Sequence, residues 1–389
     1  MNLEFDAAAL AFRDEVRGWL AANVPDTRLP SVDTPEGNAA HRAWERRLDD
    51  AGLAVVSWPV EYGGRAVSPL HALLFEEEYH AAGAPARIGQ NGLFLLGPTL
   101  LRHGTAEQRD RILPPMVRAD EVWAQAWSEP EAGSDLAAIR SRGRRTDGGW
   151  LLSGQKTWSS RATVADKAFG LFRTDPQASR HRGLTSVMFD LRAPGVTVRP
   201  IRQLDGDPGF AEIFLDDVFV PDSDVIGEPG DGWRVAMSTA GDERGQTLRS
   251  PGRFLAAAER LVALWRNGVD DHGDSATRDR VVDAWIGARA YRMHTFAALD
   301  APKGPFAASA TKLFWSELDV ALHETALDVL GAHAETDAAW TDGYLFALAG
   351  PIYAGTNEVH RGIVAERMLG LPREEPRPAS HDTSRAVSR

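Results

Sequence analysis

The sequence contains no cysteine among its 389 residues. This absence excludes a disulfide framework, a catalytic thiol and a metal site built from thiolates. The histidines show neither an HExxH motif nor a short paired spacing, so the sequence indicates no metal site. His294, His323 and His360 are interpreted as residues of helix surfaces or of packed helix interfaces.

Common nucleotide-binding and hydrolase motifs are also absent. No strand-like run is followed by a GxGxxG turn, and neither GxxxxGK[ST] nor GxSxG occurs in the sequence. A Rossmann fold, a P-loop and a Ser-His-Asp hydrolase with that motif are therefore unsupported. A dinucleotide would have to be held by sheet edges and loops instead.

Basic residues are fewer than acidic ones, 43 against 55, which gives a net charge of -12. This balance disfavours nucleic acid or an anionic membrane surface as a general partner. No apolar run is long enough to span a membrane. The first twenty residues carry acids throughout and lack the basic and apolar regions of a signal peptide, so we expect a cytoplasmic protein.

The sequence pattern changes character twice along the chain. Residues 1–120 are predicted to be helical, residues 121–235 to form short strands, and residues 236–372 to be helical again. The last segment, residues 373–389, is polar and proline-bearing, and we expect it to be disordered. The fold class predicted is α+β multidomain, with an N-terminal all-α domain, a middle antiparallel β domain and a C-terminal helical domain.

Individual helices follow from apolar spacing and capping residues. They are predicted over residues 5–22, 38–51, 68 onward, 92–104, 236–248, 278–299, 306–330 and 350–369. The acidic run from Glu76 to Glu78 is interpreted as a solvated helix face. Thr105 is predicted to cap a further helix, and Pro114 and Pro115 are predicted to break it.

Strands in the middle segment are separated by glycine, proline and aspartate clusters. They are predicted at residues 122–127, 150–152, 168–173, 185–190, 196–200 and 212–220. The arginines of residues 140–145 and the pair Arg202-Gln203 are either phosphate contacts or surface charge on turns, and the second interpretation is favoured.

One stretch of this segment, SEPEAGSD (residues 128–135), directly follows an apolar strand and reads as a tight polar elbow. Pro130 fixes one backbone angle, and Gly133 permits a close approach that a side chain would block. Ser128 and Ser134 add hydroxyl groups, and the free N–H groups of the elbow form a candidate anion site.

A second stretch, GQKTWSS (residues 154–160), is predicted to bring Trp158 and two serines to a strand end. An aromatic wall beside hydroxyl and amide donors would suit a large planar cofactor with a phosphate tail. The alternative is an ordinary hairpin with a packed tryptophan, which the spacing alone does not exclude.

Together with IYAGTNEVHRGIVAERMLGLPR near the C-terminus, these two motifs resemble the acyl-CoA dehydrogenase family. The resemblance covers residues 5–373 and is weakest over residues 262–310. It implies FAD-dependent desaturation of an acyl-CoA thioester between Cα and Cβ. It also implies a C-terminal four-helix bundle, assembly as a tetramer, and electron transfer to an electron-transferring flavoprotein.

The resemblance raises a question about the catalytic base. Many family members carry a glutamate between the tyrosine and the glycine of the C-terminal motif, where this sequence has Ala354. Isovaleryl- and long-chain-type members carry it just before an arginine early in the C-terminal domain, which matches Glu243 and Arg244. The alternatives are that Asp242 acts instead, or that residues 242–244 form an exposed charge run.

The resemblance also assigns contacts to the FAD and the substrate. It implies that residues 125–134 line the flavin, that Ser128 lies near its pyrimidine edge, that Trp158 flanks the ring and that Ser160 lies near N5. The implied cofactor residues are Gln125, Trp127, Ser128, Gly133, Ser134, Trp158, Ser160, Thr356, Asn357 and Glu358, with Asp328, Gly331 and Ala332 reaching a neighbouring subunit's FAD. The implied substrate-binding residues are Ser134, Arg244, Ala354 and Gly355.

Two departures from the family pattern keep alternatives open. Asp328 stands where glutamine is common, and the usual Arg-x-x-Phe-Gly segment is not recognisable. The alternatives are a flavin monooxygenase or oxidase of the same fold, and a non-catalytic partner in a hetero-oligomer. The acyl group and its carrier, CoA or acyl carrier protein, also stay open. The space at Ala354 and the nearby tryptophans fit a branched, aromatic or polycyclic chain.

Overall fold

A computed structural model describes residues 5–243, 250–267, 275–300 and 307–373. It contains one sheet in the middle of the chain, with helices before and after it. The predicted fold class, helical domain, β domain and helical domain, is confirmed. None of the helices in these ranges is long and apolar enough to cross a membrane.

Five helices precede the sheet and pack around one apolar core. They are α1 (Ala7–Asn23), α2 (Pro35–Asp50), α3 (Pro69–Ala81), α4 (Gly97–His103) and α5 (Ala106–Val117). A π-helical turn, Gly92–Leu96, leads directly into α4. Their core includes Val16, Trp44, Leu48, Leu96 and Leu113.

The prediction that Pro114 and Pro115 break the last of these helices is wrong. Both prolines lie inside α5, which the predicted N-cap Thr105 begins through a reciprocal capping box with Gln108. Proline removes a helical hydrogen bond. The helix nevertheless continues because the residues around the prolines, Leu113 and Met116, are buried in the core.

The interpretation of the acidic run as a solvated face is also wrong. Glu76 is 9% exposed and lies beside His80, while Glu77 and Glu78 form ion pairs with arginines. The reason is that α3 packs between α1 and α7, so its acidic residues meet other helices rather than water.

The sheet has eight strands in the order β6-β7-β3-β2-β4-β5-β8, with β1 pairing alongside β4. The strands are β1 (Trp123–Ala126), β2 (Arg142–Thr146), β3 (Gly149–Ser160), β4 (Lys167–Arg173), β5 (Leu184–Asp190), β6 (Val196–Ile201), β7 (Phe210–Pro221) and β8 (Val225–Ile226). The ladders are antiparallel except that β4 pairs in parallel with β1 and, at one position, with β2. The sheet is therefore mainly antiparallel, as predicted.

The arginine segment is a strand rather than a turn, because β2 pairs with β3 from Arg142 opposite Ser153 to Thr146 opposite Gly149. The rest of β3 continues alone along β7 and bulges twice. At the first bulge Gly154 has φ +145, and a Cβ there would overlap the Ser141 hydroxyl. Only glycine fits this position without strain.

Six helices follow the sheet within the described ranges. They are α6 (Gly232–Glu243), α7 (Pro251–Asn267), α8 (Ser275–Asp300), α9 (Ala307–Leu330), α10 (Ala338–Ala349) and α11 (Asn357–Ile363). Helices α7 to α10 form the expected four-helix bundle around Phe254, Trp315 and Leu322. Neither α7 nor α10 is among the helices predicted from the sequence.

Helix α6 connects the three regions of the molecule. It packs against β5 and against the π-helical turn before α4. The hydroxyl groups of Thr99 on α4 and Thr239 on α6 lie 2.7 Å apart in a buried position. These contacts fix the direction of the helix that carries Glu243 as its last described residue.

Candidate functional site

The two central motifs meet in space at the ends of β1 and β3. The elbow of residues 128–135 follows β1, and the backbone N–H of Thr157 on β3 donates to the carbonyl oxygen of Ser128 at 2.9 Å. A narrow turn closes the elbow, since Glu129 and Ala132 exchange two backbone hydrogen bonds. The predicted residues Gln125, Trp127, Ser128, Gly133, Ser134, Trp158 and Ser160 therefore lie on two adjoining segments.

A buried ion pair also joins these two motifs. The ammonium of Lys156 lies 2.8 Å from Oε1 of Glu129, and the side chains are 0% and 8% exposed. Lys156 also donates to the carbonyl oxygens of Leu171 at 2.7 Å and of Trp127 at 3.3 Å. Sequence reasoning missed both residues, although both lie inside the quoted motifs.

The carboxylate of Glu129 is held by further donors. It accepts from the backbone N–H groups of Arg140 at 2.6 Å and of Ser141 at 2.9 Å. Burial alone would raise the pKa of Glu129, but Lys156 and these donors together hold the pKa below its ordinary value. Glu129 is therefore ionised and anchors the far end of the elbow.

Two buried donors at the end of β1 have no partner in the described part of the chain. These are Nε2 of Gln125 and Nε1 of Trp127. A buried donor without an acceptor costs roughly 1–3 kcal/mol. Both atoms therefore fit a ligand that brings hydrogen-bond acceptors, such as the carbonyl and nitrogen edge of a flavin ring.

Trp158 presents an aromatic surface on β3, next to Thr157, whose N–H bonds the elbow at Ser128. It lies at the second bulge of β3 with φ +57, and its side chain is 58% exposed. Its ring meets Phe210 edge-on at 5.8 Å. This arrangement leaves indole surface open, as a residue that flanks a planar cofactor requires.

Three serines and a glycine, in the elbow and at the end of β3, have polar groups or space that the protein does not use. Within the described ranges, the hydroxyls of Ser128, Ser134 and Ser160 make no hydrogen bond to protein. At Gly133 a Cβ would meet no protein atom within 4 Å. The close approach expected at Gly133 is therefore not made by the protein itself, and the space remains available to a ligand.

The N-terminal helices also reach this region. Nδ2 of Asn91, next to the π-helical turn, donates to the carbonyl oxygen of Ser160 at 3.2 Å. Asn91 is 8% exposed. The sequence analysis did not single it out, because it lies beside an apolar run interpreted only as a buried helix.

Both candidate positions for a catalytic base, Glu243 and Ala354, lie in the C-terminal half of the chain. Glu243 ends the described part of α6, one turn beyond Thr239. The side chains of Asp242 and Glu243, and the whole of Arg244, lie outside the described residues. Their predicted roles remain predictions.

The loop with Ala354 has a defined conformation. Ala354 and Gly355 have φ +56 and +86, and the imidazole of His360 is 2.9 Å from the Ala354 carbonyl oxygen. Thr356 caps α11 by accepting from the N–H of Val359 at 3.3 Å. Alanine in this left-handed conformation is unusual and fixes the direction of its methyl group.

The remaining predicted cofactor residues lie apart from the elbow. Asn357 is buried, and its side-chain oxygen accepts from Lys312 at 2.7 Å and from Ser316 at 3.0 Å. The neighbouring Glu358 is exposed. No hydrogen bond or ion pair within the described ranges joins either residue to the elbow.

The segment predicted to reach a neighbouring subunit is exposed on the bundle. Asp328 forms an ion pair with Arg280. Gly331 and Ala332 lie in the short 3₁₀ turn Gly331–Glu335 that follows α9. The structure therefore brings together the middle-domain residues and leaves these three residues on a separate surface.

The histidines behave as packing or surface residues. His323 is 6% exposed against Trp340, His360 is buried, and His294 lies at the surface near Thr311. No group of three or more histidine, aspartate or glutamate side chains within the described ranges could hold a metal ion.

Comparison with known proteins gives matches over nearly the whole chain. The family profiles "Acyl-CoA dehydrogenase, N-terminal domain", "middle domain" and "C-terminal domain" match residues 6–120, 124–218 and 230–369. Acyl-CoA dehydrogenase IpdE1 of Mycolicibacterium smegmatis is 41% identical over 387 residues, covering 93% of this chain and 98% of the relative. The protein of the same name from Mycobacterium tuberculosis is 41% identical over 377 residues, with the same coverage.

Solved structures agree with the sequence matches. The steroid ACAD titled Tcur3481-Tcur3483 superposes with a TM-score of 0.85 at 28% identity, covering 96% of this chain and 100% of that chain. The ChsE4-ChsE5 complex of Mycobacterium tuberculosis gives a TM-score of 0.82 at 26% identity, with the same coverage. The chain belongs to the acyl-CoA dehydrogenase family and is an oxidoreductase of that type.

Proposed function

We propose that this chain is an FAD-dependent enzyme that removes a proton from Cα and a hydride from Cβ of an acyl thioester. The observation that carries the proposal is the meeting of the elbow with the end of β3. There, the unpartnered donors of Gln125 and Trp127 lie on the segment that the backbone hydrogen bond between Thr157 and Ser128 joins to the end of β3, which carries the exposed Trp158. Neither donor has an acceptor within the described ranges, so the edge of a flavin would supply acceptors that the protein does not.

The flavin would be held by Gln125, Trp127, Ser128, Gly133, Ser134, Trp158 and Ser160. Bound there, it would supply the acceptor for the hydride that leaves Cβ. Ser160 would donate to the ring, and Trp158 would flank it. Gly133 and Ser134 leave room for the thioester and the phosphate groups, because nothing in the protein fills the space at Gly133.

The proposed base is Glu243, with Arg244 beside it. Ala354 carries no group that can accept a proton, so the carboxylate must come from another element. Helix α6 is directed by its buried contact with α4, which supports a fixed position for its last turn. Adjacent helix residues point about 100° apart, so Asp242 cannot share the role. A positioned general base contributes roughly 10²–10⁴ in rate.

Ala354 and Gly355 would line the acyl side of the pocket. A methyl group where other family members have glutamate leaves space for a bulky acyl chain. Two curated relatives at 41% identity are named as acyl-CoA dehydrogenases, which favours CoA over an acyl carrier protein as the carrier.

Assembly with a second subunit would complete the cofactor site. Asp328, Gly331 and Ala332 lie exposed on the bundle, where a neighbouring chain could bring its FAD. Thr356, Asn357 and Glu358 are proposed as contacts of the FAD nucleotide, although the Asn357 amide oxygen already accepts from Lys312 and Ser316. The oligomer would be a homotetramer or a hetero-oligomer with a related subunit. An electron-transferring flavoprotein would accept the electrons.

Two structural neighbours above 25% identity have titles that name two polypeptides, which gives the hetero-oligomer specific support.

The domain boundaries proposed for this chain are residues 1–120, 121–235 and 236–372.

The test is anaerobic addition of a panel of acyl-CoA thioesters to the purified protein while the flavin absorbance is recorded. The proposal predicts a bound flavin that bleaches with at least one bulky acyl-CoA. A colourless protein that does not bind added FAD would contradict it. Rapid oxygen consumption by the reduced protein would favour the oxidase or monooxygenase alternative.

A further inference from the structure

Lys156 is a fully buried cation that the proposed chemistry does not use. Its side chain lies between the end of β1, β3 and β4 and is 0% exposed. Its three acceptors are Oε1 of Glu129 and the carbonyl oxygens of Trp127 and Leu171. An ammonium group in such a place is expensive unless it is paired and hydrogen-bonded, as it is here.

The contacts of Lys156 converge on the elbow. Trp127 is the residue that enters the elbow, and Glu129 is its second residue. Glu129 in turn holds the N–H groups of Arg140 and Ser141, which lie just after the elbow. One buried ion pair therefore fixes the polypeptide on both sides of residues 130–139.

We propose that Lys156 is a positioning residue of the flavin site, acting through Glu129 and the Trp127 carbonyl to hold the elbow in its binding conformation. It does not touch the flavin. Without the ammonium, the Glu129 carboxylate would be buried without its cation, and the Trp127 carbonyl would lose a donor. The inference rests on the proposed function, because it concerns the same cofactor site.

A second ion pair, at the other end of β1, provides a matched control. Arg42 lies 2.8 Å from Asp166, and both side chains are 15% exposed. Asp166 also accepts from the N–H of Val122 at 2.9 Å, immediately before β1. Both pairs hold β1, but only the Lys156 pair contacts the elbow.

The experiment compares Lys156→Met, Glu129→Gln and Arg42→Met in the full chain. The dissociation constant for FAD is measured by titrating the apoprotein, together with the visible spectrum of the bound flavin and the thermal midpoint. We expect Lys156→Met to weaken FAD binding by about tenfold or more, as loss of an orienting partner typically does. Arg42→Met should lower the thermal midpoint while FAD affinity stays within about twofold.

Glu129→Gln removes the charge and keeps an acceptor oxygen for only one of the N–H groups of Arg140 and Ser141, because these two groups bond different carboxylate oxygens. It decides the question if Lys156→Met does not fold, and it should weaken FAD binding in the same direction. Unchanged FAD affinity and spectrum in the Lys156→Met or Glu129→Gln protein would overturn the inference. So would an equal loss of FAD in Arg42→Met. Failure of the wild-type chain to bind FAD would instead contradict the proposed function.

Discussion

The hydroxyl groups of Thr99 and Thr239 lie 2.7 Å apart and tie α4 to α6, the helix that ends in Glu243. Each hydroxyl also lies within hydrogen-bond distance of the carbonyl four residues earlier, Leu95 for Thr99 and Val235 for Thr239. The two hydroxyl groups therefore have two protons for three contacts, namely the contact between them and one contact to each carbonyl oxygen. The contact between the helices is the one that fixes α6 against the N-terminal helices.

The substitution Thr239→Val tests whether this contact between α4 and α6 affects turnover beyond its effect on stability. The substitution keeps the shape of the side chain and removes the hydroxyl, so unfolding should become easier by about 1 kcal/mol. Turnover should fall further than in Thr295→Val. Thr295 is a matched control because it is buried and, among the residues that the structure describes, its hydroxyl bonds only the carbonyl of Tyr291. Equal turnover in the two variants would contradict a role for the tie in placing α6.

Glu76 should make the stability of the protein depend on pH. Burial raises its pKa to about 7 from an ordinary value of 4.5, with Arg87 opposing the shift. The folded state therefore retains a proton that the unfolded state loses, so the contribution of Glu76 to stability is fully present below pH 4.5 and is lost as pH rises towards 7. The loss should reach roughly 3 kcal/mol above neutral pH.

The measurement is urea unfolding of the wild type and Glu76→Gln at pH 5 and pH 8. The variant should lose less stability between these two values than the wild type does. Glu61→Gln, at an exposed carboxylate on a short turn, is the control and should keep the wild-type dependence. Identical pH profiles for wild type and Glu76→Gln would contradict the assignment.

Two glycines near the elbow should respond oppositely to alanine. Gly154→Ala places a Cβ against Ser141 at φ +145, so it should destabilise the protein by about 2 kcal/mol or more. Gly133→Ala adds a methyl group in open space, so the free energy of unfolding should change little.

The same pair tests the placement of the ligand. If flavin or thioester occupies the space at Gly133, Gly133→Ala should weaken binding although the protein folds normally. Chemical denaturation and FAD titration of both variants separate the two effects. A Gly133→Ala protein with wild-type affinity for FAD and for acyl-CoA would show that no ligand approaches this position.

Much of the architecture could be predicted because it depends on local pattern. The strands β4 and β5 begin within one residue of their predicted starts, since apolar runs bounded by glycine, proline and aspartate define them. The starts of α3 and α5 follow from their caps, Ser68 and Thr105. The elbow and Trp158 were found because they lie in long ordered motifs.

The errors come from contacts between distant segments. The sequence around Glu76 does not indicate that α7 will cover it. Gly252 and Arg253, at the start of α7, lie more than a hundred residues away along the chain. Lys156 and Glu129 are 27 residues apart and obey no helix or strand spacing rule. Such a pair can be recognised only when the arrangement of β1, β3 and β4 in the sheet is known.

Glu243 is the residue proposed to remove the α-proton, and its role can be tested directly. The most direct measurement is anaerobic flavin bleaching by an acyl-CoA that bleaches the wild type, carried out with Glu243→Gln and with Asp242→Asn as the control. We expect Glu243→Gln to retain FAD but not to bleach, whereas Asp242→Asn should bleach as the wild type does. Normal bleaching in Glu243→Gln would contradict the account.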